Sequence, residues 1–273
     1  MIISRTPFRI SFLGGGTDYP EYFLKHSGAV LSTAIDKYCY VGLRNGKIWS
    51  AFDLPGSSGM GSSSAFTVGL LKTISKSDNR TIAQVATIIE RDKLEERVGY
   101  QDQYICALGG FRVVKFFPTG ITDRVIEADW LSDYLMLFDT RRYRKAGSIV
   151  ASQLERIGEN EEALKKLYEM VYIGEGLLLE KDYKGFGKLL SESWQLKKSL
   201  SSKVSDEEID GIYYKAMKAG ALGGKLLGAG GGGFILFVVE SDRQEAVRRA
   251  LRLFHVPFKF DNQGSQVIYD NNH

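Results

Sequence analysis

The sequence predicts a two-domain α+β fold, in which a mixed α/β N-terminal domain over residues 1–130 precedes a helix-rich C-terminal domain over residues 131–273. Residues 1–12 alternate between apolar and polar side chains, which is typical of a half-buried strand. Residues 149–219 instead repeat their apolar side chains every three or four positions, which is typical of helices. A length of 273 residues suits one large domain or two ordinary ones. The change of pattern near residue 130 places the boundary.

The N-terminal domain is predicted to mix strands with helices. Strands are expected over residues 1–12 and 111–117, with one or two more over residues 30–43. Helices are expected over residues 64–74 and 81–94. The side chains that share one face of the second helix are Ile82, Val85, Ala86, Ile89 and Lys93.

The C-terminal domain is predicted to carry most of its residues in helices. The expected helices are 149–156, 161–179, 183–200 and 206–219, and the expected strands are 134–139, 234–239 and 266–269. Ser205 with Glu208, and Ser241 with Gln244, have the spacing of a capping box, which marks a helix start.

Composition excludes several classes of protein. The chain is 44% hydrophobic and 25% charged, and its net charge of +3 is too small to indicate a nucleic-acid partner. Cys39 and Cys106 are far apart and lack metal-ligand spacing. No apolar run approaches the roughly 20 residues of a membrane span, and the first residues indicate a strand rather than a signal peptide. We therefore expect a cytoplasmic protein without membrane or nucleic-acid partners.

A glycine and serine run over residues 55–65 opens into the predicted helix 64–74. Glycines let the backbone approach an anion, and the first turn of a helix offers unpaired N–H groups and partial positive charge. The alternative is a flexible linker. The run lacks the lysine of a Walker A loop, so a nucleotide site here belongs to another class. The residues predicted to bind the nucleotide are Pro55, Gly56, Ser57, Ser58, Gly59, Met60, Gly61, Ser62, Ser63 and Ser64.

A second glycine cluster, residues 228–233, formally fits the dinucleotide-binding pattern. That motif follows a strand and opens a helix, whereas this one follows a predicted helix and precedes a predicted strand. We expect it to let the backbone approach either a ligand or the glycine loop of residues 55–65.

A third cluster, Gly14-Gly15-Gly16, ends the first strand and continues into Thr17-Asp18. Residues 5–19 resemble the first motif of the GHMP kinases, residues 55–65 resemble the second with Met60 in place of leucine, and residues 225–233 resemble the third. The three motifs occur in the family's order and span almost the whole chain. The resemblance implies the two-domain GHMP kinase fold, with a helix-rich, ferredoxin-like C-terminal domain.

The form of the first motif is most similar to that of D-glycero-D-manno-heptose 7-phosphate kinases and the kinase half of L-fucokinases. The resemblance implies ATP and Mg²⁺ as cofactors and a phosphorylated sugar as the small-molecule partner. It assigns Asp102 as the catalytic acid/base and Arg9 as the cation that stabilises the transition state and keeps Asp102 charged. Glu90 with Ser62 or Ser63 would bind Mg²⁺, which prefers oxygen ligands. The residues that would hold the substrate are Gly15, Gly16, Thr17, Asp18, Gly230 and Gly231.

Each polar residue also has an ordinary structural interpretation. Glu90 could be a solvated charge on its helix, and Asp102 could form a turn. Asp18 could cap a helix over residues 19–25, and Arg9 could lie at a strand edge. These interpretations do not explain why the residues occur together in the family's order.

A basic cluster over residues 141–145 follows the predicted strand 134–139. A solvated face is one interpretation. The other is a clamp for a substrate phosphate, since guanidinium groups bind phosphate through paired hydrogen bonds. Thr140, Arg144 and Ala146 match the pattern of the heptose kinases in this region, so Arg144 is predicted to bind the phosphorylated sugar.

The segment between the first two motifs is shorter than is usual in the family, where it helps to form the adenine pocket. Either this protein lacks that hairpin or the sequence omits residues there, and we favour omission. The expected reaction is transfer of the γ-phosphoryl of ATP to the anomeric hydroxyl of the heptose 7-phosphate. The alternatives are an L-fucose-type sugar 1-kinase and a non-catalytic sugar sensor on a kinase fold.

Overall fold

The chain folds around two antiparallel β-sheets that share one apolar core. The computed structural model describes residues 1–56, 58–143 and 146–271. The strands of this part are β1 (Ile2–Leu13), β2 (Gly28–Arg44), β3 (Lys47–Phe52), β4 (Phe111–Phe117), β5 (Gly120–Val125), β6 (Leu135–Asp139), β7 (Ala221–Leu226), β8 (Phe234–Val239), β9 (Phe254–Val256) and β10 (Gln266–Asp270). Its α-helices are α1 (Pro20–His26), α2 (Ser62–Ile74), α3 (Asn79–Ile88), α4 (Gln101–Leu108), α5 (Ala146–Leu154), α6 (Glu161–Leu179), α7 (Tyr183–Ser199), α8 (Glu207–Lys218) and α9 (Gln244–Leu251).

The first sheet has the strand order β10-β1-β2-β4-β5, and β3 pairs with β2. The region predicted as one or two strands over residues 30–43 is one long strand. Its first half pairs with β4 and its second half pairs with β3. Helix α2 packs against β1 and β2, where Ser4 donates from its hydroxyl to the Gly69 carbonyl at 2.7 Å.

The second sheet has the order β7-β8-β6-β9, with every neighbouring pair antiparallel. Helices α5 to α8 connect β6 to β7, and α9 connects β8 to β9. This order is that of a ferredoxin-like sheet, so the predicted α+β class and its ferredoxin-like second unit are confirmed.

Helices α6 and α7 join the two sheets. Both helices contact β1, and α7 also packs on β7 and β8. Phe12 of β1 stacks on Phe111 of β4 with ring centroids 5.0 Å apart, and it meets the edge of Phe186 of α7 at 5.6 Å. In the sequence, the predicted boundary near residue 130 separates the strands of the first sheet from those of the second, with one exception. Strand β10 follows the boundary but pairs with β1 in the first sheet.

Several local predictions are wrong. The helix expected over residues 81–94 ends at Ile88, and the next turn, Ile89–Lys93, is π-helical. Helix α8 is capped by Asp206, which accepts from the Ile209 N–H at 3.1 Å, and not by Ser205. Helix α9 has no side-chain cap at its N-terminus, so the second predicted capping box does not form.

The short connection between the first two motifs is a complete β-hairpin. Arg44 of β2 pairs with Lys47 of β3 across a two-residue turn, Asn45-Gly46, in which both residues have positive φ angles, 51° and 73°. A turn of this kind matches the twist of the strands that it joins. The residues given are therefore enough to close a hairpin, and the expectation that the sequence omits residues here stays a prediction. Within the described ranges, no helix has the length and apolarity that crossing a bilayer requires.

Candidate active site

A cleft of about 870 Å³ lies where both halves of the chain meet. Its lining combines the end of β1 and the glycine turn after it, the start of α2, the segment before α4, and side chains of α5 and α7. Most of the predicted site residues lie on these elements. The loop before β8 adds Gly228 and Ala229.

Arg9 and Asp102 form a paired-hydrogen-bond salt bridge in this cleft. The Arg9 Nε and Nη2 groups donate to the two carboxylate oxygens of Asp102, each at 2.7 Å, and Nη1 donates to the Gly59 carbonyl at 2.6 Å. The side chains are 6% and 23% exposed. Burial acts to lower the pKa of Arg9, but the charge and hydrogen bonds of Asp102 outweigh it, so the pKa of Arg9 is raised. Arg9 is therefore a buried partner rather than a strand-edge charge, and Asp102 lies in the first turn of α4 rather than in a loop.

The serine run begins α2 beside this pair. Gly61 precedes the helix with φ 75°, and a Cβ there would lie 3.2 Å from Arg9 Cγ and 3.3 Å from Asp102 Oδ2. Glycine is therefore required for two reasons: the turn has a positive φ angle, and a side chain here would crowd Arg9 and Asp102. The helix starts at Ser62, and Ser62, Ser63 and Ser64 line the cleft.

The rest of this loop is held by main-chain contacts. Met60 is fully buried, and its carbonyl accepts from the Arg9 N–H at 3.0 Å. Ser58 is also buried, whereas Pro55 and Gly56 are exposed; Ser57 lies outside the described residues. The loop is thus anchored at its centre on the strand that carries Arg9.

Glu90 lies in the π-helical turn and is fully buried, so it is not a solvated charge. Its Oε2 accepts from Ser64 Oγ at 2.9 Å and from Gln103 Nε2 at 2.5 Å. Its Oε1 has no hydrogen-bond partner in the described part of the chain. Burial raises the pKa of Glu90. Ser64 therefore contacts Glu90 directly, and the role of Ser62 or Ser63 as a magnesium ligand stays a prediction.

The glycine turn after β1 positions Asp18. Gly14 and Gly16 have φ angles of 79° and 106°. Asp18 accepts from the Gly16 N–H at 3.1 Å and from Gln101, through its N–H at 3.3 Å and its Nε2 at 3.1 Å. Asp18 does not cap α1, which begins after Tyr19. Burial, together with the charge of Asp102, raises the pKa of Asp18.

The other predicted residues of this turn differ in role. Gly15 and Gly16 line the cleft with Asp18. Thr17 is fully buried, and its Oγ1 donates to the carbonyls of Gly14 and Ala29 at 2.8 and 2.9 Å. Thr17 thus fastens the turn to β2 and does not line the cleft.

The glycine cluster 228–233 packs directly on the glycine loop 55–65. A Cβ on Gly228 would lie 2.4 Å from the Cα of Gly59, and a Cβ on Gly233 would lie 2.2 Å from the Ser58 carbonyl. Of the two interpretations of this cluster, contact with the other glycine loop is therefore confirmed.

The two glycines predicted to hold the substrate lie elsewhere in the cluster. The Gly231 N–H donates to the Val204 carbonyl at 2.8 Å, and a Cβ on Gly230 would lie 2.7 Å from the same oxygen. Neither glycine is among the residues that line the cleft.

The basic cluster after β6 is only partly described, because Arg144 and Lys145 lie outside the described residues. Arg142 forms ion pairs with Asp206 and Glu208, and its carbonyl accepts from the Gly233 N–H at 2.6 Å. The segment before Arg144 is therefore tied to the glycine cluster.

Sequence reasoning missed several polar residues of the cleft, three of which are buried. Ser11 on β1, Gln101 on α4 and Lys197 on α7 all line it. Gln101 directly precedes Asp102 in the sequence, so it could have been considered with that residue. Lys197 has the appearance of an ordinary helix charge, and only tertiary packing reveals its burial.

Phosphoryl transfer to a hydroxyl group is the chemistry that this arrangement supports. A helix N-terminus lined with glycine and serine can hold phosphates, and a carboxylate beside it can accept the proton of an attacking hydroxyl. The sequence matches the GHMP kinases N terminal domain over residues 25–110 and the GHMP kinases C terminal domain over residues 175–256. The chain belongs to the GHMP kinases, and it is an ATP-dependent phosphotransferase that acts on a hydroxyl group.

Individual relatives agree with this family. The chain is 28% identical over 315 aligned positions to the D-glycero-alpha-D-manno-heptose 7-phosphate kinase of Campylobacter jejuni, with 92% of this chain and 93% of the relative covered. A D-glycero-D-manno-heptose 1-phosphate kinase structure from Bacteroides thetaiotaomicron superposes with a TM-score of 0.79 at 25% identity, covering 99% and 100% of the two chains. The Lactococcus lactis galactokinase in complex with galactose shares the fold, with a TM-score of 0.75 at 18% identity over 97% and 94% of the chains.

Proposed function

We propose that this enzyme transfers the γ-phosphoryl of ATP to the anomeric hydroxyl of D-glycero-D-manno-heptose 7-phosphate and releases the 1,7-bisphosphate. The observation that carries the proposal is the buried Arg9–Asp102 pair between the start of α2 and the turn that bears Asp18. The similarity to the heptose phosphate kinases supports the choice of sugar.

In this proposal each group of cleft residues has a separate role in the reaction. The N–H groups at the start of α2 and the serine hydroxyls bind the triphosphate. Asp18 accepts hydrogen bonds from sugar hydroxyls, and Asp102 accepts the proton of the attacking anomeric hydroxyl. Arg9 keeps Asp102 charged and stabilises the negative charge of the transferred group.

The residues present fit a magnesium ion carried by the triphosphate. The unpartnered, buried Oε1 of Glu90 lies beside the start of α2, and carboxylate and hydroxyl oxygens are the ligands that Mg²⁺ prefers. Within the described residues there is no cluster of three or more acidic, histidine or cysteine side chains. Mg²⁺ in kinases commonly relies on one or two carboxylates plus substrate phosphates. We propose that Glu90 and a serine of residues 62–64 hold the ion, which would neutralise phosphate charge.

The test of this function is a panel of sugars with ATP and Mg²⁺, with the product position determined by phosphorus NMR. The panel contains the heptose 7-phosphate, D-mannose 6-phosphate and free L-fucose. Turnover of the heptose phosphate at its anomeric position supports the proposal. A preference for free L-fucose would identify an L-fucose-type 1-kinase instead, and sugar binding without ATP turnover would identify a sensor.

Arg144 is proposed to bind the sugar phosphate, since it follows the segment that Arg142 ties to the glycine cluster. Arg144→Ala is expected to raise the KM for the phosphorylated sugar and to leave the KM for ATP little changed. Loss of a desolvated charge pair costs about 2–5 kcal/mol. Equal weakening of phosphorylated and free sugars would contradict the clamp, and Arg252→Ala on a distant helix end serves as the charge-matched control.

A further inference from the structure

We propose that Ser11 and Lys197 form an acceptor-binding subsite over Gly15, which binds a hydroxyl oxygen of the sugar. The inference rests on the proposed function and gives a role to Ser11, which lies within the first motif, and to Lys197, which lies outside all three. Helix α7 of the C-terminal half brings Lys197 to a turn of the N-terminal half, so the subsite forms only when both halves are assembled.

The space over Gly15 is surrounded by polar atoms. A Cβ on Gly15 would lie 3.7 Å from Ser11 Oγ, 4.0 Å from Gln101 Nε2 and 4.0 Å from Lys197 Nζ. All four residues line the cleft. An oxygen atom above Gly15 could therefore reach more than one donor, and any side chain at this position would occupy the same space.

Ser11 carries a polar group that the protein leaves for a ligand. The residue is 6% exposed, and no group in the described part of the chain hydrogen-bonds to its Oγ. A buried hydroxyl without a partner costs free energy of folding. A sugar hydroxyl, which both donates and accepts, would satisfy it.

Lys197 supplies the charged donor. It is 7% exposed, and one of its three N–H groups donates to the Gly228 carbonyl. The charged side chains that face it are Arg9 on β1, Asp18 after β1, Asp102 on α4 and Lys225 on β7. Burial and the charge of Arg9 lower the pKa of Lys197 to about 8.

The neighbours of the subsite assign it to the acceptor rather than to ATP. Gly15 precedes Asp18 in one turn, and Gln101 donates to Asp18 Oδ2. The start of α2, where the triphosphate is expected, lies instead against the Arg9–Asp102 pair through Gly61. A ligand oxygen over Gly15 therefore belongs to the molecule that Asp18 holds.

The test compares Ser11→Ala and Lys197→Met with native enzyme, using D-glycero-D-manno-heptose 7-phosphate and ATP varied separately. Lys197→Met should raise the KM for the sugar roughly 10- to 100-fold, and Ser11→Ala roughly 2- to 10-fold, because charged hydrogen bonds contribute more than neutral ones. The KM for ATP should change less than about twofold in both variants. Lys188→Met, an exposed lysine of the same helix, is the matched control and should behave as native enzyme.

A second measurement separates binding from a purely structural role. In native enzyme, kcat/KM for the sugar should fall as the pH rises through about 8, the pKa of Lys197. This limb should move to higher pH in Lys197→Arg and should be absent in Lys197→Met. Equal increases in both KM values, unchanged KM values, or an unaltered pH limb would overturn the subsite. If Lys197→Met does not fold, the KM values of Ser11→Ala alone test the subsite, because this substitution removes only the hydroxyl group and should leave the fold intact.

The subsite and the proposed function can fail independently. Absence of turnover with every sugar of the panel would refute the proposed function. Calorimetric titration of the heptose 7-phosphate without ATP then tests the subsite by itself. Weaker binding to Ser11→Ala than to native protein supports it, and equal or absent binding to both refutes it.

Discussion

Replacing Asp102 by asparagine separates the chemical role of this carboxylate from its structural one. The side chain keeps its shape, and one oxygen still accepts from Arg9. The other position becomes an NH₂ group that faces an Arg9 donor, which lies 2.7 Å from the native oxygen. Breaking a buried ion pair completely costs about 3–5 kcal/mol, and since asparagine retains one of the two hydrogen bonds, we expect a loss of about 2 kcal/mol in the free energy of unfolding.

Catalysis should suffer far more than stability in the Asp102→Asn variant. A positioned general base contributes about 100-fold or more to the rate, so kcat should fall by at least that factor, while the Kd for ATP stays near its native value. Urea unfolding, nucleotide titration and initial rates on the same preparation measure the three quantities. Asp92→Asn, which makes the same charge change at an exposed position of the π-helical turn, is the control. Near-native turnover of Asp102→Asn would show that Asp102 is not the catalytic acid/base.

Three further predictions address the glycine contact, the buried lysine and the buried glutamate. Gly228→Ala places a Cβ 2.4 Å from Gly59 Cα at a φ of 71°, so it should lower the free energy of unfolding in urea by on the order of 1–3 kcal/mol and raise the KM for ATP. The control is Gly211→Ala, which has nothing within 4 Å and should be neutral or stabilising. Equal effects of the two substitutions would refute the contact. The pKa of Lys197 is lowered from 10.5 to about 8, so its charged form opposes folding below pH 8. The native protein should therefore gain stability relative to Lys197→Met as the pH rises from 8 toward 10.5. A constant difference in unfolding free energy between the two proteins would contradict this. Glu90→Gln should raise the Mg²⁺ concentration needed for half-maximal activity roughly 10-fold, with activity partly recovered at high Mg²⁺, and an identical metal dependence in both proteins would rule out the ligand role.

The motifs that could be predicted from sequence are those in which the backbone itself requires a residue type. Gly61 is conspicuous because only glycine suits its left-handed turn against Arg9. The helical spacing of α6 follows from burial on one face, whereas β1 is buried on both faces from Thr6 to Leu13 and is not the half-buried strand expected; both elements were predicted within a residue of their bounds. Local pattern is sufficient for such elements.

Features that depend on distant partners could not be predicted. Strand β7 contains Gly223 and Gly224, which favour a loop, but a Cβ on Gly223 would lie 1.8 Å from the Gly187 carbonyl of α7. Strand β7 needs glycine at Gly223 because helix α7 packs so closely against it that a side chain would not fit. The burial of Lys197 has the same origin, since only the packing of α7 on β1 distinguishes it from the exposed Lys188 of the same helix.

The pairing of β10 with β1 bears on the order in which the protein is made. Strand β1 is synthesised long before β10, yet one of its edges pairs with residues 266–270 and Thr6 shares a hydrogen bond of 2.7 Å with Ser265. During translation that edge has no native partner until β10 has left the ribosome. An unpaired edge strand is a template for association with other chains. The nascent protein is therefore exposed to misassembly at this edge until β10 emerges, and any premature stop upstream of β10 leaves the edge open permanently.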